Sequence, residues 1–158
     1  INGLELELMA SPGNGWFFEA SLALLDAGYD DIDTSITLIG KNFDFERVPE
    51  TTVSLGVSKE ISLSDLGILT FRADWSYRSE TFNDAYNTTL LETDSYDLFD
   101  ASVRWSNRQE DWTVVLSGRN LTNEEFLVTG VYGTAFQSYE GTYNRGRQWQ
   151  LEVRKHFN

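Results

Sequence analysis

The sequence has no cysteine, one histidine and two prolines among its 158 residues. The lack of cysteine excludes disulfide scaffolds, thiolate metal sites and thiol nucleophiles. The lone histidine, His156, excludes a zinc site with several imidazoles and any mechanism that needs two histidines. These absences do not identify the compartment, because many proteins of oxidising compartments also lack cysteine.

Basic residues are also scarce. The 12 Lys and Arg residues are outnumbered by 25 Asp and Glu residues, which gives a formal net charge of −13 at pH 7. A nucleic-acid binder needs a basic face that displaces counterions from phosphates, so this charge argues against nucleic acid as a partner. It also argues against a polybasic helix that binds membrane surfaces.

Long apolar runs are missing as well. No stretch approaches the roughly 18 consecutive apolar residues of a membrane-spanning helix, and the mean hydropathy is −0.36. This value is compatible with a membrane-spanning β-barrel, whose strands alternate apolar and polar residues. The sequence starts at Ile1 with no signal peptide before it, so we interpret it as a processed product or a fragment.

Aromatic residues and a two-residue alternation are abundant. Aromatics make up 14% of the chain, and apolar residues alternate with polar ones in about seven runs, which predicts β-strands. The apolar faces of these runs fall within residues 4–10, 16–24, 53–61, 69–77, 99–105, 112–116 and 149–157. Most runs approach the roughly 9–11 residues of a tilted membrane strand, whereas strands in soluble sheets have about 5–6 residues.

The connections between the runs alternate in length. Short turns are predicted at residues 11–15, 64–67 and 107–111, and long loops near residues 28–48, 79–94 and 123–145. Outer-membrane barrels alternate in this way between periplasmic turns and outer loops, whereas loops beyond about 12–15 residues are uncommon in compact domains. An open seven-stranded sheet would leave two unpaired edges in lipid, so we expect an arc of a larger barrel.

Two segments near the end of the chain carry a more specific pattern. Residues 118–126 read Gly-Arg-Asn-Leu-Thr-Asn-Glu-Glu-Phe, and residues 146–157 alternate aromatic or aliphatic residues with polar ones up to a final Phe157. The first segment resembles the penultimate strand and following loop of TonB-dependent outer-membrane receptors, and the second resembles their closing strand. Residues 2–8 and 23–31 also look like this family, and the resemblance covers essentially the whole chain.

The resemblance implies a fold. It is all-β, an antiparallel meander of about seven strands that forms the C-terminal arc of a 22-stranded transmembrane β-barrel. Residues 1–158 are then the C-terminal portion of the receptor barrel, without the plug domain and the N-terminal strands. Gly146 departs from the family, which usually has proline there, and Lys155 occupies a position that is more often aromatic.

The resemblance also implies a function. The family imports scarce nutrients, namely iron-siderophores, haem, cobalamin or carbohydrates, with energy from the TonB system. The implied location is the outer membrane of a Gram-negative bacterium. The implied partners are outer-membrane lipid, the nutrient ligand, the TonB complex through the absent N-terminal region, and the barrel-assembly machinery. The resemblance implies that this machinery recognises Phe157 as an assembly signal. No cofactor is implied.

Arginines on the polar faces and aromatics in the outer loops are the candidate ligand-binding residues. Guanidinium groups bind anionic oxygens bidentately, and aromatic rings stack on sugar, haem or siderophore rings. The candidates are Arg72, Arg104, Arg119, Tyr132, Phe136, Tyr139, Tyr143 and Arg147. Further aromatics in or near the outer loops are Tyr29, Phe43, Phe45, Phe82, Tyr86 and Phe126.

Each set of candidates has an alternative role. For the arginines we favour the alternative, which is a ladder of salt bridges with Asp74, Asp100 and Glu152 that fix strand register. The aromatics are equally suited to packing the loops onto one another. The acidic residues within 26–33 lack the spacing of a calcium loop, so we expect a solvated loop end there and no metal site.

Two other functions stay open on the sequence alone. One is a soluble β-sandwich or lipocalin-like module that binds an apolar ligand inside, and the other is a small self-contained outer-membrane barrel. An apolar face that points inward would distinguish the first from a receptor. No nucleophile with a neighbouring base is recognisable, so we expect the chain to have no enzymatic activity. We expect the isolated chain to keep its strands and hairpins but not the full barrel geometry, with sheet edges that either pair with a second copy or close into a non-native barrel.

Overall fold

The computed structural model describes residues 1–33, 35 and 37–157. Its strands are β1 (Asn2–Gly13), β2 (Trp16–Asp26), β3 (Thr51–Ser62), β4 (Ile68–Arg78), β5 (Thr81–Phe82), β6 (Glu92–Thr93), β7 (Tyr96–Ser106), β8 (Trp112–Arg119), β9 (Leu127–Gly133), β10 (Ser138–Tyr143) and β11 (Gln148–Lys155). Seven of them form one antiparallel sheet in the order β1-β2-β3-β4-β7-β8-β11. The predicted seven-stranded meander is confirmed.

The strand register places apolar side chains in continuous rows. Leu6 on β1 pairs with Leu22 on β2, which pairs with Val53 on β3, which in turn pairs with Tyr77 on β4. Because side chains alternate between faces, a slip of one residue would exchange the two faces. The alternation in the sequence therefore excludes one-residue slips of register and gives the sheet one apolar and one polar face.

The apolar face is not packed against a protein core. Leu55, in the middle of β3, and Leu151, in the middle of the edge strand β11, are 48% and 68% exposed. The accessible surface of 11225 Å² exceeds the roughly 8,000 Å² expected for a folded monomer of 18.0 kDa. Burying such side chains in an apolar medium is favourable by about 1.5–3 kcal/mol each. The sheet is thus built to face a nonpolar environment, and the inward-facing core of a soluble module is absent from the described residues.

Helical structure in the described part of the chain consists of short turns. Two 3₁₀ turns lie at Ser64–Leu66 and Thr89–Leu91. No helix within the described ranges has both the length and the apolar character needed to cross a membrane.

The three short connections lie at one end of the sheet. The first is shorter than the predicted turn at 11–15, because β1 continues to Gly13 and only Asn14 and Gly15 form the turn, both with positive φ. Pro12 is tolerated near the end of the edge strand β1, where it has no register partner on β2. A register shift between Ala10 and Gly13 accommodates it.

The three long connections lie at the opposite end and contain structure that the sequence analysis assigned to loops. Strands β5 and β6 form one small hairpin, and β9 and β10 form another. We call the described parts of residues 27–50, 79–95 and 120–147 the loop layer. The buried apolar side chains of the described residues, Leu91 and Leu127, both lie in this layer.

Hydrogen bonds join the segments of the loop layer. Asn83 Nδ2 donates to Leu91 O at 3.0 Å and to Thr93 Oγ1 at 2.9 Å, and Thr93 Oγ1 donates to Leu127 O at 2.8 Å. Arg47 Nη2 donates to Thr129 Oγ1 at 3.0 Å, which connects the first loop to the third. The layer is therefore a folded unit with a small core of its own.

Candidate functional site

Arg72 lies at the centre of the polar face and contacts two carboxylates. Its Nη2 and Nε donate to Asp74 Oδ1 at 2.6 Å and Oδ2 at 2.8 Å, and Nη2 also donates to Glu19 Oε1. Gly56 lies between the two acids in the register, and a Cβ there would be 2.7 Å from Glu19 Cγ. The glycine leaves space for an ion cluster that joins β2 to β4 across β3. The Arg72 guanidinium is therefore bound to carboxylates of its own sheet.

Replacing Arg72 with methionine is expected to destabilise the sheet. Glu19 and Asp74 would then face each other without a counterion, but their side chains are 34% and 39% exposed, so water screens part of the repulsion. We expect a loss on the order of 1–2 kcal/mol, below the 3–5 kcal/mol typical of a fully buried pair. The urea midpoint of the detergent-solubilised protein measures it. Adding Asp74→Asn should restore part of the loss, and an unshifted midpoint in R72M would contradict the role of this cluster.

The other candidate arginines are spread along the sheet. Arg104 lies towards the short-turn end of β7, where Nε donates to Ser106 Oγ at 3.4 Å. Arg119 ends β8 at the loop end and pairs with Gln148 on β11. Arg147 is exposed, and its Nη1 donates to Leu121 O at 3.4 Å. The structure does not gather these side chains into one anion site with Arg72.

Two of the three predicted acidic partners form salt bridges, but within one strand and not across strands. Asp74 pairs with Arg72 on β4 and Glu152 pairs with Arg154 on β11, each at 2.6 Å. Asp100 instead accepts a hydrogen bond from the backbone N–H of Asn120 at 2.8 Å.

Asn120 has a structural role that its sequence motif did not indicate. It is buried, with positive φ, at the start of the third long loop. Its Nδ2 donates to Glu124 O at 2.8 Å and to Arg145 O at 3.1 Å, while its Oδ1 accepts from Glu124 N at 2.8 Å. The asparagine of the Gly-Arg-Asn run therefore holds the two ends of this loop together, and asparagine tolerates the left-handed conformation needed there.

Three tyrosines line a cleft in the loop layer. Tyr132 and Tyr139 pair across β9 and β10 with ring centroids 5.0 Å apart. Tyr86, from the second loop, lines the same cleft, which has a volume of about 390 Å³ and also includes Leu91 and Gly130. A Cβ on Gly130 would lie 2.9 Å from Leu91 Cδ2, so the glycine permits close packing of the hairpin on the second loop.

The remaining loop aromatics divide into exposed and packed groups. Phe136 is 82% exposed at the hairpin turn and Tyr143 is exposed on β10, and neither lines the cleft. Tyr29 packs edge-on against Phe45 at 4.5 Å. Phe126 stacks on Tyr96 at 3.6 Å. The structure therefore brings together two of the four candidate aromatics, and it assigns loop packing to others.

The acidic segment of the first loop makes local contacts. Asp33 accepts hydrogen bonds from Ser35 Oγ at 2.5 Å and Ser35 N at 2.9 Å, which hold the pKa of this carboxyl below its usual range. Lys41 lies 3.3 Å from Asp31. Within the ranges that the structure describes, no group of three or more His, Asp or Glu side chains is arranged to hold a metal ion.

Two lysines lie beside tryptophans on the apolar face at its short-turn end. Lys59 Nζ is 5.0 Å from the Trp16 ring, and Lys155 Nζ is 5.0 Å from the Trp112 ring. Tryptophan favours the membrane–water interface because its apolar ring has a polar edge. Lysine reaches water there by extending its flexible chain. This end of the apolar face has the chemistry of a headgroup boundary.

Asp111 holds the last strand, β11, at the short-turn end of the sheet. Its carboxylate accepts hydrogen bonds from Lys155 Nζ and Asn107 Nδ2, which hold the pKa of Asp111 below its usual range. Its backbone carbonyl accepts from His156 N at 2.8 Å.

The contact between Asp111 and Lys155 is expected to weaken in acid. A carboxyl whose pKa is lowered by folding stabilises the fold above the ordinary aspartate pKa, near 3.9. That contribution is lost as the pH falls through the lowered pKa. Hydrogen exchange of the C-terminal peptide at pH 2–6, corrected for intrinsic rates, should show falling protection with falling pH. The Asp111→Asn variant should lack this pH dependence, and protection that rises in acid would contradict the assignment.

Comparison with known proteins identifies the fold family. A family model described as TonB dependent receptor-like, beta-barrel matches residues 1–121. The chain belongs to the TonB-dependent receptor family. Members of this family are outer-membrane proteins of Gram-negative bacteria, so the chain is located in that membrane. The apolar face of this TonB-dependent receptor chain is accordingly its lipid-facing surface.

Solved structures with the same fold are receptors of much greater length. The ferric yersiniabactin uptake receptor FyuA from Yersinia pestis has 19% identity and a TM-score of 0.80, over 99% of this chain and 23% of that one. The ferric preacinetobactin receptor BauA from Acinetobacter baumannii has 20% identity and a TM-score of 0.71, over 96% and 21%.

The siderophore receptor PiuA from Acinetobacter baumannii has 23% identity and a TM-score of 0.75, over 97% of this chain and 21% of that one. The receptor chain thus spans less than a quarter of the length of these proteins. A comparison with curated proteins found no significant match.

Proposed function

We propose that the chain forms the closing arc of an outer-membrane barrel that imports a ferric siderophore with energy from the TonB system. The observation that carries this proposal is the shared fold with three receptors whose names state ferric siderophores or siderophores as their ligands, over 96–99% of this chain. The family match over residues 1–121 supports the same receptor class. Haem, cobalamin and carbohydrate are the competing ligands.

The sheet edges support the assignment of residues 1–158 to one part of a larger barrel. In the described residues, β1 and β11 each pair with one strand only, so each has an unpaired edge. Unpaired backbone groups are costly in lipid, where water does not satisfy them. We propose that both edges pair with strands of the remaining barrel in the intact receptor. In the isolated chain the same edges would associate with a second copy.

The partners follow from this placement. The TonB complex would act through a plug region outside residues 1–158. The barrel-assembly machinery would recognise the closing strand with its exposed Phe157. A transport role needs no catalytic group, and we propose none for this chain.

Deletion of the gene that encodes the intact receptor tests the function. In iron-limited medium, the mutant should fail to grow on at least one ferric siderophore supplied as the sole iron source, and added ferrous iron should restore growth. The same defect should appear when TonB is removed. Normal growth on every ferric siderophore, with a defect on haem, cobalamin or an oligosaccharide, would overturn the siderophore assignment.

A further inference from the structure

We infer that the tyrosine cleft of the loop layer binds a ring of a ligand that carries no negative charge. The cleft lies between the β9–β10 hairpin and residues 83–91. This inference rests on the proposed receptor function and adds the charge class of the ligand.

The cleft offers aromatic surface and hydroxyl groups. Tyr86, Tyr132 and Tyr139 are all partly exposed, so their rings are available to a ligand. A volume of about 390 Å³ is at the lower end of small-molecule sites and fits one ring or arm of a larger ligand. The faces of aromatic rings attract cations and stack on neutral rings. Tyrosine hydroxyls add donors and acceptors without charge.

The charge within the cleft is negative. Asp84 lines it, and this carboxylate is held in place by hydrogen bonds from Thr88 N at 2.9 Å and Thr88 Oγ1 at 2.7 Å. Among the residues that line the cleft, all of which are described, there is no lysine, arginine or histidine. An anionic group placed there would meet a carboxylate and no counterion.

The whole loop layer has the same sign of charge. Its acidic residues are Asp30, Asp31, Asp33, Asp44, Glu46, Glu50, Glu80, Asp84, Glu92, Asp94, Glu124, Glu125 and Glu140, and its basic residues are Lys41, Arg47, Arg145 and Arg147. These three segments therefore carry a formal charge of −9 out of the total of −13. A field of one sign repels anions and concentrates cations before contact.

Two of the four basic residues of the layer, Lys41 and Arg47, lie near carboxylates. Lys41 lies 3.3 Å from Asp31, and Arg47 Nε lies 3.7 Å from Glu46. Arg72, the central arginine of the polar face, is held by two carboxylates. At Lys41, Arg47 and Arg72 an anionic ligand would therefore compete with carboxylates already in place, whereas a neutral or cationic ligand would not.

Binding to the purified intact receptor tests the inference. The probes are three ferric complexes: a trihydroxamate with a free ammonium arm, an uncharged cyclic trihydroxamate and an anionic tris-catecholate. We expect the cationic and neutral complexes to bind at least about tenfold more tightly than the anionic one at low salt, and the gap should narrow as salt screens the field. Tightest binding of the tris-catecholate would overturn the inference.

Two matched variants locate the contact. Tyr132→Ala should weaken binding of the preferred complex about three- to tenfold, the range of one aromatic contact. Phe136→Ala, on the same hairpin but outside the cleft, should bind like wild type. Asp84→Asn should improve binding of the anionic complex. Equal affinities in Tyr132→Ala and Phe136→Ala would refute the cleft as the site.

Failure of the proposed function gives a different result. In that case none of the three complexes would bind, and growth on ferric siderophores would not depend on the receptor. This outcome overturns the function and the inference together, whereas tight binding of the tris-catecholate overturns the inference alone.

Discussion

Arginine in place of Leu55 is expected to destabilise the barrel strongly, whereas arginine in place of Ser54 is expected to be tolerated. Leu55 lies at the middle of β3 on the apolar face, between Ala20 and Trp75 in the register. A charged side chain at the bilayer midplane costs about 2–4 kcal/mol in a transmembrane barrel. Ser54 is the preceding residue and faces the polar side, where it pairs with Ser21 and Ser76.

The measurement is the amount of folded intact receptor in the outer membrane, followed by the urea midpoint of the purified protein. Both variants add the same charged side chain to neighbouring positions of one strand, so the net charge changes equally. The two positions differ in the face of the sheet to which the arginine points. Equal effects of Leu55→Arg and Ser54→Arg would mean that the apolar face does not contact lipid.

The large sheet could be predicted from the sequence because each strand carries its own evidence. Alternation within residues 69–77 or 99–105 predicts both the strand and its two faces. The meander then follows when each strand pairs with the next strand along the sequence. The alternation also excludes a one-residue slip of register, since this slip would place leucines such as Leu55 on the polar side.

The two small hairpins could not be predicted in this way. Strands β5 and β6 have two residues each, too few to show a period. In β9, Gly130 and Gly133 interrupt the alternation, and Gly130 pairs with Gly141 on β10. Burial of Leu91 depends on contact with this distant hairpin. Such contacts are set by the folded loops and leave no periodic signal in the chain.

The candidate sites show the same limit. The sequence analysis offered Asp74 as a salt-bridge partner of the arginines, but Glu19 joins Arg72 and Asp74 from two strands away. Tyr132 and Tyr139 meet because the β9–β10 register pairs them. Tyr86 reaches the same cleft only because the second loop packs on the hairpin. Residue type indicated candidates, and tertiary structure decided which of them meet.

Alanine in place of Gly67 is also expected to lower the stability of the fold strongly. Gly67 has φ of 104° in the turn between β3 and β4, a conformation that residues with a side chain rarely adopt. A Cβ there would lie 2.0 Å from the backbone oxygen of Ser106 and 2.7 Å from Asn107 Cα. Both neighbours are backbone, so they cannot rotate away. The turn would have to separate from the end of β7.

The expected cost of Gly67→Ala combines backbone strain of about 1–3 kcal/mol with steric overlap of about 1–3 kcal/mol. Gly13→Ala separates these contributions, because Gly13 has φ of 99° and a Cβ there would meet no atom within 4 Å. Gly13→Ala should therefore be destabilised by the backbone strain alone. The difference between the two urea midpoints therefore measures the close approach of two neighbouring turns. If the two variants unfold alike, the turns are free to separate, and the short-turn end does not hold β4 against β7.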